Sequence, residues 1–110
     1  MAEIEKRELK ERFAANKPVI VIDVRRDDEV ELGTIEGSKH IELSKIKDAF
    51  LLDEECFKTK FGFERPPKDC DHLFTMCKGG VRSSKARDIL VELGWKPISI
   101  KGGYDSWIAK

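Results

Sequence analysis

Apolar positions along the chain fall into two patterns, short unbroken runs and stretches spaced for one helical face. Val19-Ile20-Val21-Ile22 is a continuous β-branched run between Pro18 and Asp23. A run apolar on both faces predicts a central parallel strand covered by helices on each side. Further strands are predicted over 72–76, around Lys39-His40-Ile41, and at Ile98-Ser99-Ile100. Helical spacing occupies the intervals. Residues 4–15 predict a first helix with Ile4, Leu9, Phe13 and Ala14 on one side, and with Glu8 and Arg12 one turn apart. Asn16-Lys17-Pro18 ends it. A short charged helix is predicted from Arg25 to Leu32, stopped by Gly33, and a helical turn near Ser44 contains Ile46. Residues 51–61 predict another helix, with Leu52, Cys56 and Phe57 to Phe61 inward, before a connection that holds Pro66-Pro67. From Val81 to Leu93, Ala86, Ile89, Leu90 and Leu93 face inward, and Gly94 is placed to close the helix. After Gly102-Gly103, a final segment can lay Tyr104, Trp107 and Ile108 on the sheet.

The predicted order is helix, strand, helix, short strand, helix, strand, helix, strand, helix. This is a three-layer α/β arrangement around a small, mostly parallel sheet. At 110 residues the chain is read as one domain, 1–110. Lys plus Arg equals Asp plus Glu at 21 each, so wholesale attraction to nucleic acid or to an acidic membrane surface is not expected. No apolar run approaches the roughly 20 residues of a membrane-spanning helix. The first eight residues mix acids and bases, unlike a signal or transit peptide. The expected location is therefore cytoplasmic, or mitochondrial if a presequence has been removed. Three cysteines, at 56, 70 and 77, make a poor disulfide framework and suggest a reducing compartment. Two histidines and no Cys-x-x-Cys leave little for a metal site, and neither metal nor cofactor is expected. No element advertises a large leftover apolar face, so a monomer is expected.

The stretch that changes this picture is Cys77-Lys78-Gly79-Gly80-Val81-Arg82-Ser83. A cysteine follows an apolar strand, two glycines permit a tight turn, and a helix begins at once. Such a turn can aim backbone N–H groups into one concavity, to which the helix start adds positive potential. That setting favours a thiolate, the nucleophilic form. Lys78, Arg82, Lys85 and Arg87 lie between residues 76 and 87 with no acid among them. A thiolate there could attack the outer sulfur of an anionic donor and hold it as Cys–S–S⁻, stabilised by the loop amides and Arg82. Asp23, at the carboxyl end of the first strong strand, lies on the edge where open α/β sheets bind ligands.

These pieces resemble a single-domain rhodanese, the thiosulfate sulfurtransferase family, over nearly the whole chain. The matching segments are Asp23-Val24-Arg25 with Glu29, then Gly33-Thr34-Ile35-Glu36-Gly37-Ser38, the loop 77–83, and Gly102-Gly103 with Trp107. The resemblance implies a three-layer rhodanese-like fold and a sulfur-accepting Cys77. Residues 78–82 would cradle the persulfide, with Arg82 at the loop end and Lys78 as an anion contact at the rim. It implies thiosulfate as donor, and cyanide, a small thiol such as glutathione, or a protein thiol as acceptor. Thr34, Glu36 and Ser38 depart from the usual histidine, proline and alanine, which bears on loop packing more than on chemistry. The Lys-Gly-Gly-Val loop differs from the Gly-Ser/Thr-Gly-Val form of mercaptopyruvate sulfurtransferases and argues against that donor.

Two other classes are open at this point. A cysteine-dependent phosphatase would need five residues between cysteine and arginine, where Cys77 and Arg82 have four between them. It would also commonly carry histidine at the position of Met76. The other is a protein-binding or sulfur-relay rhodanese module, against whose noncatalytic form Cys77 and the basic loop argue. Asp23 and Arg25 either orient the loop or form a structural ion pair, and Glu29 reads as a structural acid. His40 and His72 read as ordinary strand histidines, and Cys56 as a packed small hydrophobe. Cys70, flanked by Asp69 and Asp71, is a weak candidate for a resolving cysteine.

Overall fold

The computed structural model describes residues 2–109. Its sheet contains β1 (Glu3–Ile4), β2 (Ile20–Asp23), β3 (Lys39–His40), β4 (Leu73–Met76) and β5 (Ile98–Ile100), in the order β1-β5-β4-β2-β3. Every pairing is parallel, with Ile20 opposite Leu73 and Asp23 opposite Met76 at the centre. The strands therefore release the chain at one common edge. The residues following Asp23, Met76 and Ile100 converge there, and this convergence assembles the candidate site.

The helices are α1 (Lys6–Ala14), α2 (Asp27–Glu31), α3 (Leu43–Leu51), α4 (Glu54–Phe61), α5 (Val81–Glu92) and α6 (Gly103–Ile108). Alternation along the central strands sorts their side chains into two cores. Ile22 and Leu73 point to one face and pack with Phe50, Phe57, Ala86, Leu90 and Trp95 of the α3–α4–α5 layer. Val21, Phe74, Met76 and Ile100 meet Leu9, Ile35 and the half-buried Tyr104 and Trp107 on the other. Both faces of β2 and β4 are thus covered, as the unbroken apolar run in β2 predicted. The α/β architecture and its layering stand as expected.

Local details differ where a distant partner decides the outcome. Ile4 belongs to β1, not to the first helix: Ser99 N–H donates to Ala2 O at 3.1 Å, and Lys101 N–H to Ile4 O at 2.9 Å. The nearly buried guanidinium of Arg87 also donates to Ala2 O, at 3.0 Å. The turn near Ser44 grows into the whole of α3, because Ile46, Ala49 and Phe50 make one buried helical stripe. The helix expected from residue 51 starts at Glu54, where the Asp53 carboxylate caps it by accepting Cys56 N–H at 2.8 Å. In that frame Phe57 takes the inward position and Cys56 is exposed, which corrects its reading as a packed residue. Ile108 is exposed rather than laid on the sheet.

Gly94 closes α5 as expected. It has φ +105°, its N–H donates to Val91 O, and Trp95 N–H reaches back to Leu90 O. This closure seats the Trp95 ring edge-on to Phe50 at 5.1 Å, with its indole N–H donating to Pro66 O at 2.8 Å. Among the described residues, no helix is long and apolar enough to cross a membrane.

Candidate active site

Cys77 is the first residue past β4, and Gly80, at φ +108°, is the N-cap of α5. Only glycine adopts that conformation without strain, and adopting it lets the chain reverse from strand into helix within three residues. The reversal aims Gly80 N–H at Cys77 Sγ, 3.0 Å away. The thiol also donates to Ser83 Oγ at 3.5 Å, and Cys77 is completely buried beneath the loop.

The loop is held from below by the start of α6. Tyr104 N–H donates to Cys77 O at 2.8 Å and Asp105 N–H to Lys78 O at 3.0 Å. So close an approach leaves no room at Gly103, where an added Cβ would lie 2.6 Å from Lys78 O and closer still to Cys77 O. This explains in physical terms why Gly103 accompanies the Cys77 loop.

Beneath the loop lies a row of buried hydroxyl groups. Thr75 and Ser99 are partners across β4 and β5, and both face the first turn of α5. Thr75 Oγ1 donates to Ser83 O at 2.9 Å, and Ser99 Oγ lies 2.8 Å from Ser83 Oγ. Ser83 Oγ donates to Gly80 O at 3.0 Å, and Ser84 Oγ donates to the same carbonyl at 2.8 Å. Sequence reasoning named Ser83 but missed Thr75, Ser84 and Ser99. The available signal was a hydroxyl residue at the middle of an otherwise apolar strand, as in Ile98-Ser99-Ile100.

Three of the four positive charges near the loop are paired with acids, two of them from other elements. Arg82 forms a two-pronged pair with Glu29 of α2, Nη1 to Oε1 at 2.5 Å and Nη2 to Oε2 at 2.8 Å. Lys78 pairs with Asp105 at 3.0 Å, and Arg87 with Asp88 at 3.1 Å. The basic cluster seen in the sequence is thus not a bare cationic patch in the fold. Glu29 also accepts Arg26 N–H at 3.2 Å at the start of α2. Hydrogen bonding from Arg82, aided by Arg26, holds the Glu29 carboxyl down at about 2 against an ordinary 4.5.

Because the folded value is depressed, the stability from this pair is present above pH 4.5 and is lost as pH falls towards 2. Unfolding followed between pH 6 and 2.5 should show wild type losing stability more steeply than Glu29→Gln. Parallel curves for the two proteins would remove the pair from the acid response.

Asp23 and Arg25 form a buried ion pair. The Asp23 carboxylate accepts Arg25 N–H at 3.0 Å and Arg25 Nη2 at 2.7 Å. The same Nη2 donates to Gly33 O at 2.7 Å, and Thr34 Oγ1 donates to Asp23 Oδ2 at 2.7 Å. The pair therefore clips the 33–38 segment to the end of β2, and the Arg25 guanidinium stacks 4.5 Å from the Tyr104 ring. Thr34 and Ser38 share a hydroxyl contact of 2.8 Å, so these departures from the family pattern serve the clip. His40 Nε2 lies 2.7 Å from Arg25 O, and His72 Nδ1 lies 3.0 Å from Asp71. Cys70 is buried in the first core. Among the described residues, no group of three His, Cys, Asp or Glu side chains is placed to hold a metal ion.

A buried thiol at the end of a central parallel strand, met by a loop amide and backed by a helix start, defines a cysteine-dependent transfer enzyme on an α/β scaffold. The model of the rhodanese-like domain matches residues 5–110. A putative mitochondrial thiosulfate sulfurtransferase of Schizosaccharomyces pombe is 38% identical over 91% of this chain and 68% of its own length. A mouse thiosulfate sulfurtransferase/rhodanese-like domain-containing protein is 36% identical over 93% of this chain and 65% of its own. The structure of a human single-domain sulfurtransferase superimposes with a TM-score of 0.92 at 26% identity, covering 98% of this chain and 96% of that one. The chain belongs to the rhodanese-like domain family and is a sulfurtransferase working through a cysteine.

Proposed function

We propose that the protein takes the outer sulfur of thiosulfate onto Cys77 and passes it to a thiophilic acceptor. The Cys77 thiolate attacks the outer sulfur, the S–S bond of thiosulfate breaks, and sulfite leaves with the bonding pair. The resulting Cys–S–S⁻ is discharged when cyanide attacks its outer sulfur, giving thiocyanate and restoring the thiolate. A small thiol such as glutathione, or a protein thiol, acts as acceptor in the same way and leaves as a persulfide.

The observation that carries this reading is the 3.0 Å hydrogen bond from Gly80 N–H to Cys77 Sγ within a loop of four residues between Cys77 and Arg82. Residues 78–82 form the cradle, Arg82 closes it while paired to Glu29, and Ser83 supplies a hydroxyl. Lys78 meets the anionic donor at the rim by leaving Asp105, an exposed pairing that costs little to break. Asp23 and Arg25 support the site by fixing segment 33–38. The loop covers the sulfur, so donor entry includes its parting. The two curated relatives described above carry thiosulfate in their names, which supports the donor.

Intact mass of the reduced protein after incubation with thiosulfate tests the reading. One added sulfur atom, about 32 Da, is expected on Cys77 and should vanish on adding cyanide. No adduct on demonstrably reduced Cys77 would rule thiosulfate out as donor.

A further inference from the structure

The hydroxyl of Ser99 is completely buried in the middle of β5, and among the described residues its hydrogen-bonding partner is Ser83 Oγ at 2.8 Å. Burying a hydroxyl is unfavourable unless its proton finds an acceptor. Ser83 can supply that acceptor, because its own proton has another destination, the carbonyl of Gly80 at 3.0 Å. The network therefore orders itself: Ser99 donates to Ser83, and Ser83 donates to Gly80 O. In the protonated state the Cys77 thiol fills the second acceptor position of Ser83 at 3.5 Å.

An anionic sulfur changes what Ser83 faces. The thiolate has lost its proton and can take a further donor beside Gly80 N–H, and the Ser83 hydroxyl already lies 3.5 Å from the sulfur. Turning it from Gly80 O to sulfur leaves that carbonyl satisfied, since Ser84 donates to it twice, from Oγ at 2.8 Å and from N–H at 3.2 Å. Were Ser83 instead to donate to Ser99, the sulfur would receive nothing from it, and the Ser99 proton would be stranded in the core. Ser99 thus keeps the Ser83 oxygen occupied as an acceptor and its proton free for sulfur. Donation into Ser83 also polarises the hydroxyl it offers onward.

We propose that Ser99 is a positioning residue for sulfur transfer, directing the Ser83 hydroxyl proton onto the anionic sulfur of Cys77 when charge develops there. The inference rests on Cys77 being the sulfur carrier. It requires no proton transfer between residues, only a rotation about one C–O bond.

Threonine and valine at position 99 have nearly the same shape and differ in the hydroxyl, so comparing them cancels the cost of the added methyl group. Two readouts are taken on each variant. One is the rate of carbamidomethylation of Cys77 by iodoacetamide at pH 7, followed on the Cys77 peptide. The other is kcat and KM for thiosulfate:cyanide transfer. Ser99→Val should react about three- to fivefold more slowly than Ser99→Thr in alkylation and in kcat, with KM for thiosulfate alike in the two. In a Ser83→Ala background the same exchange should make no difference. Equal rates for the valine and threonine variants, or an undiminished difference without the Ser83 hydroxyl, would overturn the proposal. Alkylation does not involve thiosulfate. Failure of wild type to accept sulfur while Ser99→Val alkylates more slowly would count against the donor and leave Ser99 in its role.

Discussion

Cys77→Ser should lower thiosulfate:cyanide transfer by at least about a thousandfold while the fold survives nearly unchanged. The serine oxygen can accept Gly80 N–H as the sulfur does, so the loop keeps its internal hydrogen bond. It stays protonated at neutral pH and cannot carry a transferable sulfur. A melting temperature within a few degrees of wild type, measured beside the activity, separates loss of chemistry from loss of structure. Residual transfer above about a tenth of wild type would show that the sulfur travels by another route. Cys56 and Cys70, one exposed and one buried in the first core, would then be the groups to examine.

Asp23→Ala should produce the largest loss of stability. Removing the carboxylate leaves Arg25, 4% exposed, with its charge facing the carbonyl of Gly33 and the Tyr104 ring and no carboxylate bonded to it. Breaking one side of a buried pair in this way costs about 3–5 kcal/mol. Thr34 loses its acceptor as well, and the 33–38 segment loses its attachment to β2. In a domain of this size that corresponds to a fall in melting temperature of more than about 10 °C. Activity per folded molecule at low temperature should stay within about threefold of wild type, because the pair makes its bonds to segment 33–38 and not to Cys77. A drop of less than about 3 °C would mean that the pair is energetically neutral. A large loss of kcat in a well-folded variant would bring it into the chemistry.

The sequence made the architecture legible because burial in this fold is recorded locally. A β-branched run apolar on both faces can only be satisfied between two helical layers, and Val19 to Ile22 stated this without reference to any other segment. Gly94 and the Gly79-Gly80 pair likewise announce turns through their own conformational freedom. The features that were not legible all depend on a partner far along the chain. Ile4 directly precedes the helical spacing of Leu9 and Phe13 and reads as part of it, yet it becomes a strand residue because the edge of β5 lies open beside it. Cys56 and Phe57 are neighbours competing for one inward position. The cap at Asp53 decides between them by setting where the helical count begins.

The site divides along the same line. Cys77 and its glycine loop are contiguous and were read directly. Ser99 and Thr75 become part of it only through the register that sets them side by side under α5. The charge count misled for the same reason. Lys78, Arg82, Lys85 and Arg87 are close in sequence, whereas Glu29 and Asp105 reach two of them from α2 and α6.

The contrast among the three thiols gives the molecule a ready means of observation. Cys56 stands in the open at the first turn of α4, while Cys70 and Cys77 are enclosed. A bulky maleimide dye therefore reaches the surface thiol without any opening of the fold, at a rate slowed by Asp53, which pushes the Cys56 thiol up, while labelling of the other two reports opening. Fluorescence from that single label can follow association with an acceptor protein without any reagent occupying the loop.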